Sequence, residues 1–529
     1  MVQSVRCAGF MFNASFGVDM AVETELKLRI APEQLARLKR HPLLRKLQVA
    51  RPVARRLYNI YYDTPKLELH QSAMALRLRR AGGQWLQTLK GGGSVKAGMH
   101  QRNEWEIPVS RAALDFSPSQ TVDWEAHLPL RLRKKLQPIF VTDFSRTSRI
   151  LDWQGAQIEL CMDHGEVRTE QRSTPICELE LELKSGEPRQ LFELALTLLD
   201  IVPLELEPVS KAEHGYRLLT GYTDKPVKGI VPDIAKNATL TEALQALLWS
   251  CMLHLQGNLR GAMASDDAEY LHQMRVSLRR LRVVLRMAEK FRADESLSAL
   301  SMDVAALCVA LGQIREWDVF IAETVQPMCA RMAGHAGLQA LRALSERQRA
   351  ACYAELRNEK QARELQRLIL RFALWMDGEY WQTPQETTVP PVQDFANRRL
   401  HKLAKRLTQA GLQLDSLDNV HLHALRILAK KLRYSAEFFA ALYDKQKTAA
   451  FLAALSEVQE VLGQINDVAV AHRLLDELAA LPELAAHQEA IALAKGWIAH
   501  GLSHQLTKLH KAVQGFHKQR PFWKNSQTG

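Results

Sequence analysis

Charged and apolar residues alternate with a period of two in several short segments between residues 21 and 220. In the first segment Glu23 and Glu25 share one parity, whereas Leu26 and Leu28 share the other. Because successive side chains of a β-strand point to opposite faces, this alternation predicts a strand with one charged face and one apolar face. The same alternation recurs at residues 76–79, 102–107, 158–163 and 177–184. The N-terminal part of the chain is therefore predicted to be rich in β-strands.

The pattern changes to helical periodicity from about residue 240 onward, in long runs rich in Ala, Leu, Gln, Glu and Arg. Prolines are confined there to breaks such as 383–395. Few glycines and prolines within long apolar-periodic runs are typical of α-helices. The C-terminal part is therefore predicted to be all-α.

Two blocks of the helical part recur at one common offset. The segment HQMRVSLRRLR from His272 returns as HALRILAKKLR from His423, and LGQIREWD from Leu311 returns as LGQINDVA from Leu462. Both shifts are 151 residues. Self-similarity at a fixed offset is the signature of an internal duplication, so we predict a duplicated helical bundle.

The patterns divide the chain at segments rich in turn-forming residues. The stretch after residue 220 contains Pro226, Gly229 and Pro232 and is predicted to be a linker. Met20, directly before the first predicted strand, could be the true start. The predicted parts are an N-terminal extension 1–20 that could be non-native, a catalytic domain 21–220, a linker 221–238, a helical domain 239–515 with repeats 239–382 and 392–515, and a tail 516–529.

The charged strand faces have two possible explanations. A solvated face over an apolar core would explain any one strand. Glu178, Glu180 and Glu182, however, lie on one face at every second position, where like charges repel unless cations lie between them. Mg²⁺ or Mn²⁺ takes carboxylate and phosphate oxygens, and Arg and Lys donate to the remaining phosphoryl oxygens. We therefore predict a divalent-metal and phosphate site.

Composition narrows the classes of protein that remain. A net charge of +12 and an isoelectric point near 9.3 favour an anionic partner, without separating nucleic acid, acidic lipid and polyphosphate. No uninterrupted apolar run approaches the roughly 18 residues of a membrane span, so no membrane association is expected. Seven cysteines without a CxxC pair indicate neither a disulfide framework nor a zinc site. The chain begins with a poor secretory signal, and we predict a cytoplasmic protein.

The charged residues of the N-terminal part resemble the motifs of the CYTH superfamily of triphosphate tunnel metalloenzymes. The signature ExExK stands at Glu23, Glu25 and Lys27. The other matching positions, in order, are Arg77, Arg79, Lys90 in TLK, Arg102, Glu104, Arg146 in TDFSR, Asp163, the run Glu178, Glu180 and Glu182, and Lys211 in SKAEHG. The resemblance implies an α+β domain built on an eight-stranded antiparallel β-tunnel with a charged interior.

The resemblance also implies the roles of these residues in hydrolysis of a linear triphosphate. The cations would bind substrate phosphates: Lys27, Arg77, Arg79, Lys90, Arg102, Arg146 and Lys211. The acids would bind metal: Glu23, Glu25, Glu104, Asp163, Glu178, Glu180 and Glu182. Glu23, Glu25 and Lys27 would be catalytic. One ion is assigned to Glu180, Glu182 and Asp163, and a second, which carries the attacking water, to Glu23 and Glu25. Because three late glutamates stand where two are typical, either Glu178 or Glu182 could complete the pair.

Basic residues form one stripe along a predicted helix in each copy of the repeat. The i+3, i+4 spacing places them on one side, next to an apolar stripe that begins at Met274. The stripe positions are His272, Arg275, Arg279 and Arg282 in the first copy, and His423, Arg426, Lys430 and Arg433 in the second. A solvated face would explain one such helix, but recurrence in both copies favours a binding surface. The histidines are expected to bind phosphate or a neighbouring side chain rather than metal, because no second ligand lies at histidine spacing.

This half of the chain resembles the CHAD domain, over about residues 235–515. The matching segments are the two basic helices that begin near His272 and His423. The resemblance implies binding of inorganic polyphosphate, because rows of Arg and Lys neutralise successive phosphates without reading bases. Aromatic residues that could stack bases are scarce on the stripes, which argues against single-stranded nucleic acid.

The leading hypothesis is an inorganic triphosphatase that cleaves tripolyphosphate to pyrophosphate and phosphate. One alternative within the same fold is a class IV adenylate cyclase or a hydrolase of nucleoside or thiamine triphosphate. Another is a non-catalytic polyphosphate-binding scaffold, for which the acidic set would be expected to be damaged. The helical domain could either deliver substrate to the tunnel or tether the enzyme to polyphosphate, and both alternatives stay open.

Overall fold

The computed structural model describes residues 22–118, 122–291, 294–382, 390–412 and 419–524. The predicted extension 1–20 lies outside the described residues. The chain folds into two compact units. One unit contains the chain through Leu191 together with Glu205–Thr223, and the other contains Phe192–Leu204 together with the chain from Asp224 onward.

The first unit is a closed antiparallel barrel of eight strands, as predicted. Its neighbours in the sheet follow the order β5-β4-β3-β2-β6-β7-β8-β1, and β1 also pairs with β5, which closes the barrel. The strands are β1 Val22–Arg29, β2 Val53–Asp63, β3 Met74–Ala81, β4 Gln84–Lys96, β5 Met99–Val109, β6 Gln137–Trp153, β7 Ala156–Arg168 and β8 Ser173–Ser185. A ninth, two-residue strand, β9 Glu205–Leu206, pairs with the end of β1.

Local sequence sets the turns between the long strands. Between β6 and β7, Gln154 and Gly155 adopt φ of 53° and 84°, the left-handed pair that a two-residue hairpin turn requires. At β4, Gly93 has φ 93°, and a Cβ there would lie 1.9 Å from the Gln101 carbonyl oxygen. Glycine is therefore required where β4 bulges against β5.

Short helices join and cover the barrel strands. They are α1 Pro32–Lys39, α2 Pro42–Leu47, α3 Glu68–Gln71, α4 Trp124–His127, α5 Leu130–Arg133 and α7 Lys211–Thr220. Helix α6 Arg189–Ile201 begins in this unit, and its residues from Phe192 onward belong to the second unit. Ser210 is the N-cap of α7, and its side chain accepts a hydrogen bond from the Glu213 backbone N–H. Gly221 ends α7 in the left-handed conformation.

The second unit is helical, as predicted. Its helices after α6 are α8 Leu240–Ala264, α9 Ala268–Phe291, α10 Glu295–Phe320, α11 Gln326–Arg331, α12 Ala336–Leu356, α13 Glu359–Met376, α14 Glu379–Gln382, α15 Val392–Gly411, α16 Asn419–Phe438, α17 Lys445–Ala479 and α18 Gln488–His517. Helices α8, α9, α10 and α12 correspond in order to α15, α16, α17 and α18. Each of the later helices begins 150 to 152 residues after its counterpart. This spacing agrees with the sequence offset of 151 residues.

The end of the chain differs from the expectation of a tail from residue 516. Phe516, Phe522 and Trp523 are buried in one apolar cluster with Phe451. Phe451 makes edge-to-face contacts with the rings of all three. Aromatic rings contribute large buried areas, so Phe516, Phe522 and Trp523 belong to the core of the second unit.

One helical stretch, Glu295–Arg331, is long and apolar enough to cross a bilayer by length and composition alone. Its most apolar 18-residue window has a mean hydropathy of 1.7, and 28% of that window is buried. A single stretch of this kind is weak evidence for a membrane span, because core helices meet the same criteria.

Candidate functional site

The barrel encloses a charged cavity of about 880 Å³. The predicted site residues that line it are Glu23, Glu25, Lys27, Arg77, Arg79, Lys90, Arg102, Glu104, Arg146, Glu180, Glu182 and Lys211. Asp163 and Glu178 are buried beside this lining and contact Lys211. The structure therefore brings all the residues predicted from the N-terminal motifs together around one cavity.

The strand register explains how residues distant in sequence meet. Glu25 of β1 lies opposite Glu182 of β8, and Lys27 lies opposite Glu180. Farther round the barrel, Asp163 of β7 lies opposite both Glu178 and Arg146. Opposite residues on neighbouring strands point to the same face, so the charged parity of each strand faces the interior.

We define the inner group as three carboxylates and three cations in mutual contact: Asp163, Glu178, Glu180, Lys27, Arg146 and Lys211. The three carboxylates each offer an oxygen within 4.8 Å of the others. The Lys211 ammonium lies 2.6 Å from Asp163 and 2.9 Å from Glu180, and it also contacts Glu178. Arg146 donates to both oxygens of Asp163, at 2.8 and 2.6 Å, and to Glu180.

The cations control the protonation of the inner group. Burial alone would raise the pKa of Glu180, but Lys211, Lys27 and Arg146 hold that pKa well below its ordinary value. Burial raises the pKa of Glu178, and Lys211 offsets this rise only in part. Although burial lowers the pKa of Lys27 and Lys211, the surrounding carboxylates raise both pKa values above normal. Both lysines therefore stay protonated at neutral pH.

Five further carboxylates of the lining, which we call the outer group, are Glu23, Glu25, Glu104, Glu159 and Glu182. A sixth, Glu106, accepts a hydrogen bond from the Thr88 hydroxyl at 2.8 Å. Lys90 contacts Glu23 and lies 3.0 Å from Glu104. Lys184 lies 3.1 Å from Glu159 and 2.5 Å from Glu182. The structure thus places Glu182 with Glu159, apart from the inner carboxylates Asp163 and Glu180 with which the sequence grouped it.

Arginines supply the cationic wall of the cavity. Arg79 donates through Nε to the Asn59 side-chain oxygen at 3.0 Å. Burial, with repulsion from Arg77 and Arg146, lowers the pKa of Arg79 to about 10. An anion bound between these guanidinium groups would offset the cost of burying Arg79 and would reduce its repulsion from Arg77 and Arg146. The wall is therefore suited to bind phosphate.

Several lining residues were absent from the predicted site: Arg51, Arg55, Glu106, Glu159 and Lys184. Glu159 and Lys184 share the charged parity of their strands, so the alternation contains a signal for both. Arg55 shares its parity with Leu57 and Asn59, and no charge pattern marks it. Its position next to Arg146 follows only from the pairing of β2 with β6.

In the second unit the two basic stripes lie on α9 and α16, which pack against each other. Lys430 of α16 is close enough to Arg275 and Arg279 of α9 that their charges shift its pKa. Burial, with repulsion from Arg279 and Arg426, lowers the pKa of Lys430 to about 6. The Nε atoms of Arg279 and Arg426 are buried without a hydrogen-bond partner. The two stripes therefore form one cation cluster.

The other stripe residues have varied surroundings. Arg275 donates to the carbonyl oxygens of Leu311 and Gly312, at 3.1 and 2.7 Å. Arg426 donates to the Asn466 side chain at 3.2 Å. These partners lie in the second repeated block, LGQIREWD and LGQINDVA.

The residues at the ends of the two stripes have different surroundings from the residues at the centre. Burial and the nearby Arg315 lower the pKa of His272 to about 4, whereas His423 is exposed. Arg282 lies beside Cys308. Arg433 donates to Glu437 at 2.7 Å and to Gln459 at 3.1 Å. Arg433 is thus already paired, whereas Arg279 and Lys430 at the centre form no ion pair with a carboxylate of the described residues.

Comparisons with known proteins match each unit to a family. Residues 21–216 match the CYTH domain, and residues 246–476 match the CHAD domain. The inorganic triphosphatase of Haemophilus influenzae is 33% identical over 201 residues, which are 38% of this chain and 55% of that relative. The chain thus matches about half of that relative's length.

Two further relatives are similar over larger shares of the chain. An uncharacterized protein of Mycobacterium tuberculosis is 27% identical over 422 residues, covering 74% of this chain and 77% of that protein. The crystal structure of the CHAD domain from the plant Ricinus communis is 31% identical, with a TM-score of 0.49. That match covers 56% of this chain and 98% of the plant domain.

Proposed function

Because this chain carries a CYTH domain followed by a CHAD domain, we propose that it is a metal-dependent inorganic triphosphatase whose helical unit binds polyphosphate. The observation that carries this proposal is the enclosed cavity, where cations and carboxylates from many strands face each other. Hydrolysis of a triphosphate needs cations for the phosphoryl oxygens and acids for a divalent metal. The cavity offers both.

The lining favours an inorganic triphosphate over a nucleotide. Among the described lining residues the aromatic ones are Tyr61 and Phe144, and both are almost fully buried. Phe144 lies against the cations Arg146 and Lys211. Neither ring offers a free face on which a base could stack. The substrate we propose is therefore tripolyphosphate, cleaved to pyrophosphate and phosphate.

We place the metal with the outer group. The three carboxylates of the inner group are matched by three cations. Within the described residues the five outer carboxylates form ion pairs with Lys90, Lys184 and Arg77, and with Lys27, which the inner group shares. Arg102 lies opposite Glu23 across β1 and β5. Glu25, Glu182 and Glu159 are consecutive neighbours across β1, β8 and β7. Carboxylate oxygens fit Mg²⁺ or Mn²⁺, and a divalent ion would relieve the repulsion among these three neighbouring carboxylates.

The protein groups have distinct roles in this mechanism. Arg77, Arg79 and Arg102 bind and orient the phosphate chain, and Lys27 and Lys211 remain protonated and donate to its oxygens. A bound Mg²⁺ would supply electrophilic stabilisation of the phosphoryl oxygens. The inner carboxylates pair with Lys27 and Lys211 before substrate arrives, so they hold these cations in place and offset the desolvation cost of burying them.

The test of the proposed function is a phosphate-release assay on the full chain. Tripolyphosphate, ATP and thiamine triphosphate are compared, with Mg²⁺ and with EDTA. We expect Mg²⁺-dependent release of phosphate, fastest with tripolyphosphate. Formation of cyclic AMP from ATP would instead show a cyclase. A protein that turns over none of the three substrates would be a non-catalytic scaffold.

For the helical unit, the cluster centred on Arg279 and Lys430 supports polyphosphate binding. Cations from two repeats meet there with buried, unpaired guanidinium nitrogens. Asp467 is the acid that acts on both Arg426 and Lys430. Such an arrangement is costly without an anion, and a chain of phosphates would neutralise it without base recognition.

We expect polyphosphate binding to weaken by up to about tenfold per pH unit between pH 6 and pH 8. The pKa of Lys430 is about 6 in the free protein, and adjacent phosphates raise the pKa in the complex. Above pH 6 binding must therefore take up a proton, whereas below pH 6 Lys430 is charged in both states. Titration calorimetry with long-chain polyphosphate at several pH values measures this effect.

Lys430→Arg is the matched control, because a guanidinium keeps its charge across this range. The variant should bind at pH 8 as tightly as at pH 6. If the wild type and Lys430→Arg showed the same pH dependence, the proton taken up on binding would belong to a group other than Lys430.

A further inference from the structure

The connection between β2 and β3 holds a strained conformation around α3. Leu67 and Ala73, which flank α3, both have φ of 55°. Left-handed φ is unfavourable for residues with a side chain. Strain of this kind persists only where surrounding contacts hold it and is concentrated at functional sites.

Asp63, the last residue of β2, holds this connection. Its carboxylate is fully buried and accepts backbone hydrogen bonds from Thr64, Leu69 and His70, at 2.6, 2.9 and 3.0 Å. It also accepts a hydrogen bond from the Tyr216 hydroxyl of α7 at 2.9 Å. Burial and the Asp63 charge raise the pKa of Tyr216, so that hydroxyl stays protonated and donates. One carboxylate therefore joins the strained connection to α7.

Further contacts between α3 and α7 strengthen the attachment of the β2–β3 connection to α7. The His70 ring is stacked on the Tyr216 ring, with centroids 4.1 Å apart. His70 Nε2 lies 2.8 Å from the Glu213 carboxylate. Gly215 packs so closely on Phe140 of β6 that a Cβ would lie 2.1 Å from that ring. We call the set Asp63, His70, Glu213 and Tyr216 the latch.

The latch holds the helix that carries Lys211. Lys211 is the first residue of α7, and Ser210, Lys211 and Ala212 line the cavity. Lys211 contacts all three carboxylates of the inner group. A displacement of α7 by about 1 Å would move the ammonium out of these contacts, and misplacement of that size lowers rates strongly.

We propose that Asp63 and Tyr216 are positioning residues, which keep α7 in place and so hold the Lys211 ammonium where the end of the phosphate chain binds. The inference rests on the proposed triphosphatase function of the barrel. Tyr216 is not among the described residues that line the cavity, and we expect its effect on turnover to pass through Lys211.

The experiment is a double-mutant cycle in the full chain with Tyr216→Phe and Lys211→Ala. Phenylalanine keeps the ring contacts and removes the hydrogen bond to Asp63. With tripolyphosphate and Mg²⁺ we expect Tyr216→Phe to raise KM about fivefold, as the loss of one hydrogen bond implies, and to change kcat less. In the Lys211→Ala background Tyr216→Phe should have no further effect. Tyr222→Phe, just beyond the end of α7, is the matched control and should behave as wild type.

Equal effects of Tyr216→Phe in both backgrounds would overturn the proposal, because the latch would then act on stability alone. If Tyr216→Phe does not fold, Glu213→Gln takes its place in the cycle, with a smaller expected rise in KM. This substitution weakens the contacts of Glu213 with His70 and with Arg217.

A wild-type chain without triphosphatase activity would contradict the proposed function rather than the latch. In that case amide hydrogen exchange over Lys211–Thr220 decides. Exchange faster by about tenfold in Tyr216→Phe supports the latch, and unchanged exchange refutes it.

Discussion

Replacing Glu25 by glutamine is expected to lower kcat for tripolyphosphate by about 100-fold or more while the barrel stays folded. Glutamine keeps the volume of the side chain but removes its charge. Glu25 lies between Glu182 and Lys27 on the interior face, 2.9 Å from the Lys27 ammonium. Loss of the Glu25 charge would weaken metal binding in the outer group, where Glu25, Glu182 and Glu159 lie side by side.

Initial rates at several Mg²⁺ concentrations, together with the melting temperature, measure this effect. Higher Mg²⁺ should restore part of the activity if the defect is in metal affinity. Glu166→Gln on β7 is the matched control, because that carboxylate pairs with the half-exposed Arg168 away from the cavity. Wild-type turnover by Glu25→Gln would remove Glu25 from the metal site. Loss of the melting transition would instead show that the charge is needed for folding.

The paired substitution Arg279→Ala with Lys430→Ala is expected to weaken binding of long-chain polyphosphate by about 100-fold near 0.1 M salt. These two side chains are the centre of the cation cluster and come from different repeats. Losing two phosphate-binding cations should also lower the slope of log affinity against log salt by about 1.4. Fluorescence anisotropy with labelled polyphosphate, in EDTA and over a salt series, measures both quantities.

Arg342→Ala with Arg347→Ala removes the same charge from the same unit and serves as the control. Arg342 pairs with Glu346 and Arg347 with Glu483, all on the surface. Exposed ion pairs contribute little to stability. This variant should therefore stay folded and bind polyphosphate nearly as tightly as the wild type. Equal losses in the two double variants would mean that net charge, rather than the cluster, attracts polyphosphate.

Much of the barrel could be predicted from the sequence because its signal is local. The alternation of Glu23, Glu25 and Lys27 with apolar neighbours defines which face is charged before any partner strand is known. The pairing of charges could not be predicted in the same way. Whether Glu182 lies beside Glu159 or with the inner group depends on the register between β8 and its neighbours, which closure of the whole barrel decides.

Contacts that come from distant segments were also beyond the sequence. Lys211 could be assigned from its motif, but its attachment through Tyr216 to Asp63 joins residues 153 positions apart. In the helical unit the basic stripes were visible from their spacing, whereas their meeting across α9 and α16 is a matter of tertiary packing. Phe522 and Trp523 follow the polar segment His517–Arg520. The local pattern therefore did not indicate that these two residues are buried in the core.

Closure through β1 has a consequence for how the protein is made. Strand β1 pairs with β5 and with β8, and the last residue of β8 is synthesised more than 150 positions after β1. Pairing over such a separation is slow, because the intervening chain must be ordered first. The nascent chain therefore exposes unpaired strand edges for much of its synthesis, and edges of this kind promote aggregation. Cells that produce this protein rapidly would be expected to depend on chaperones that protect nascent chains.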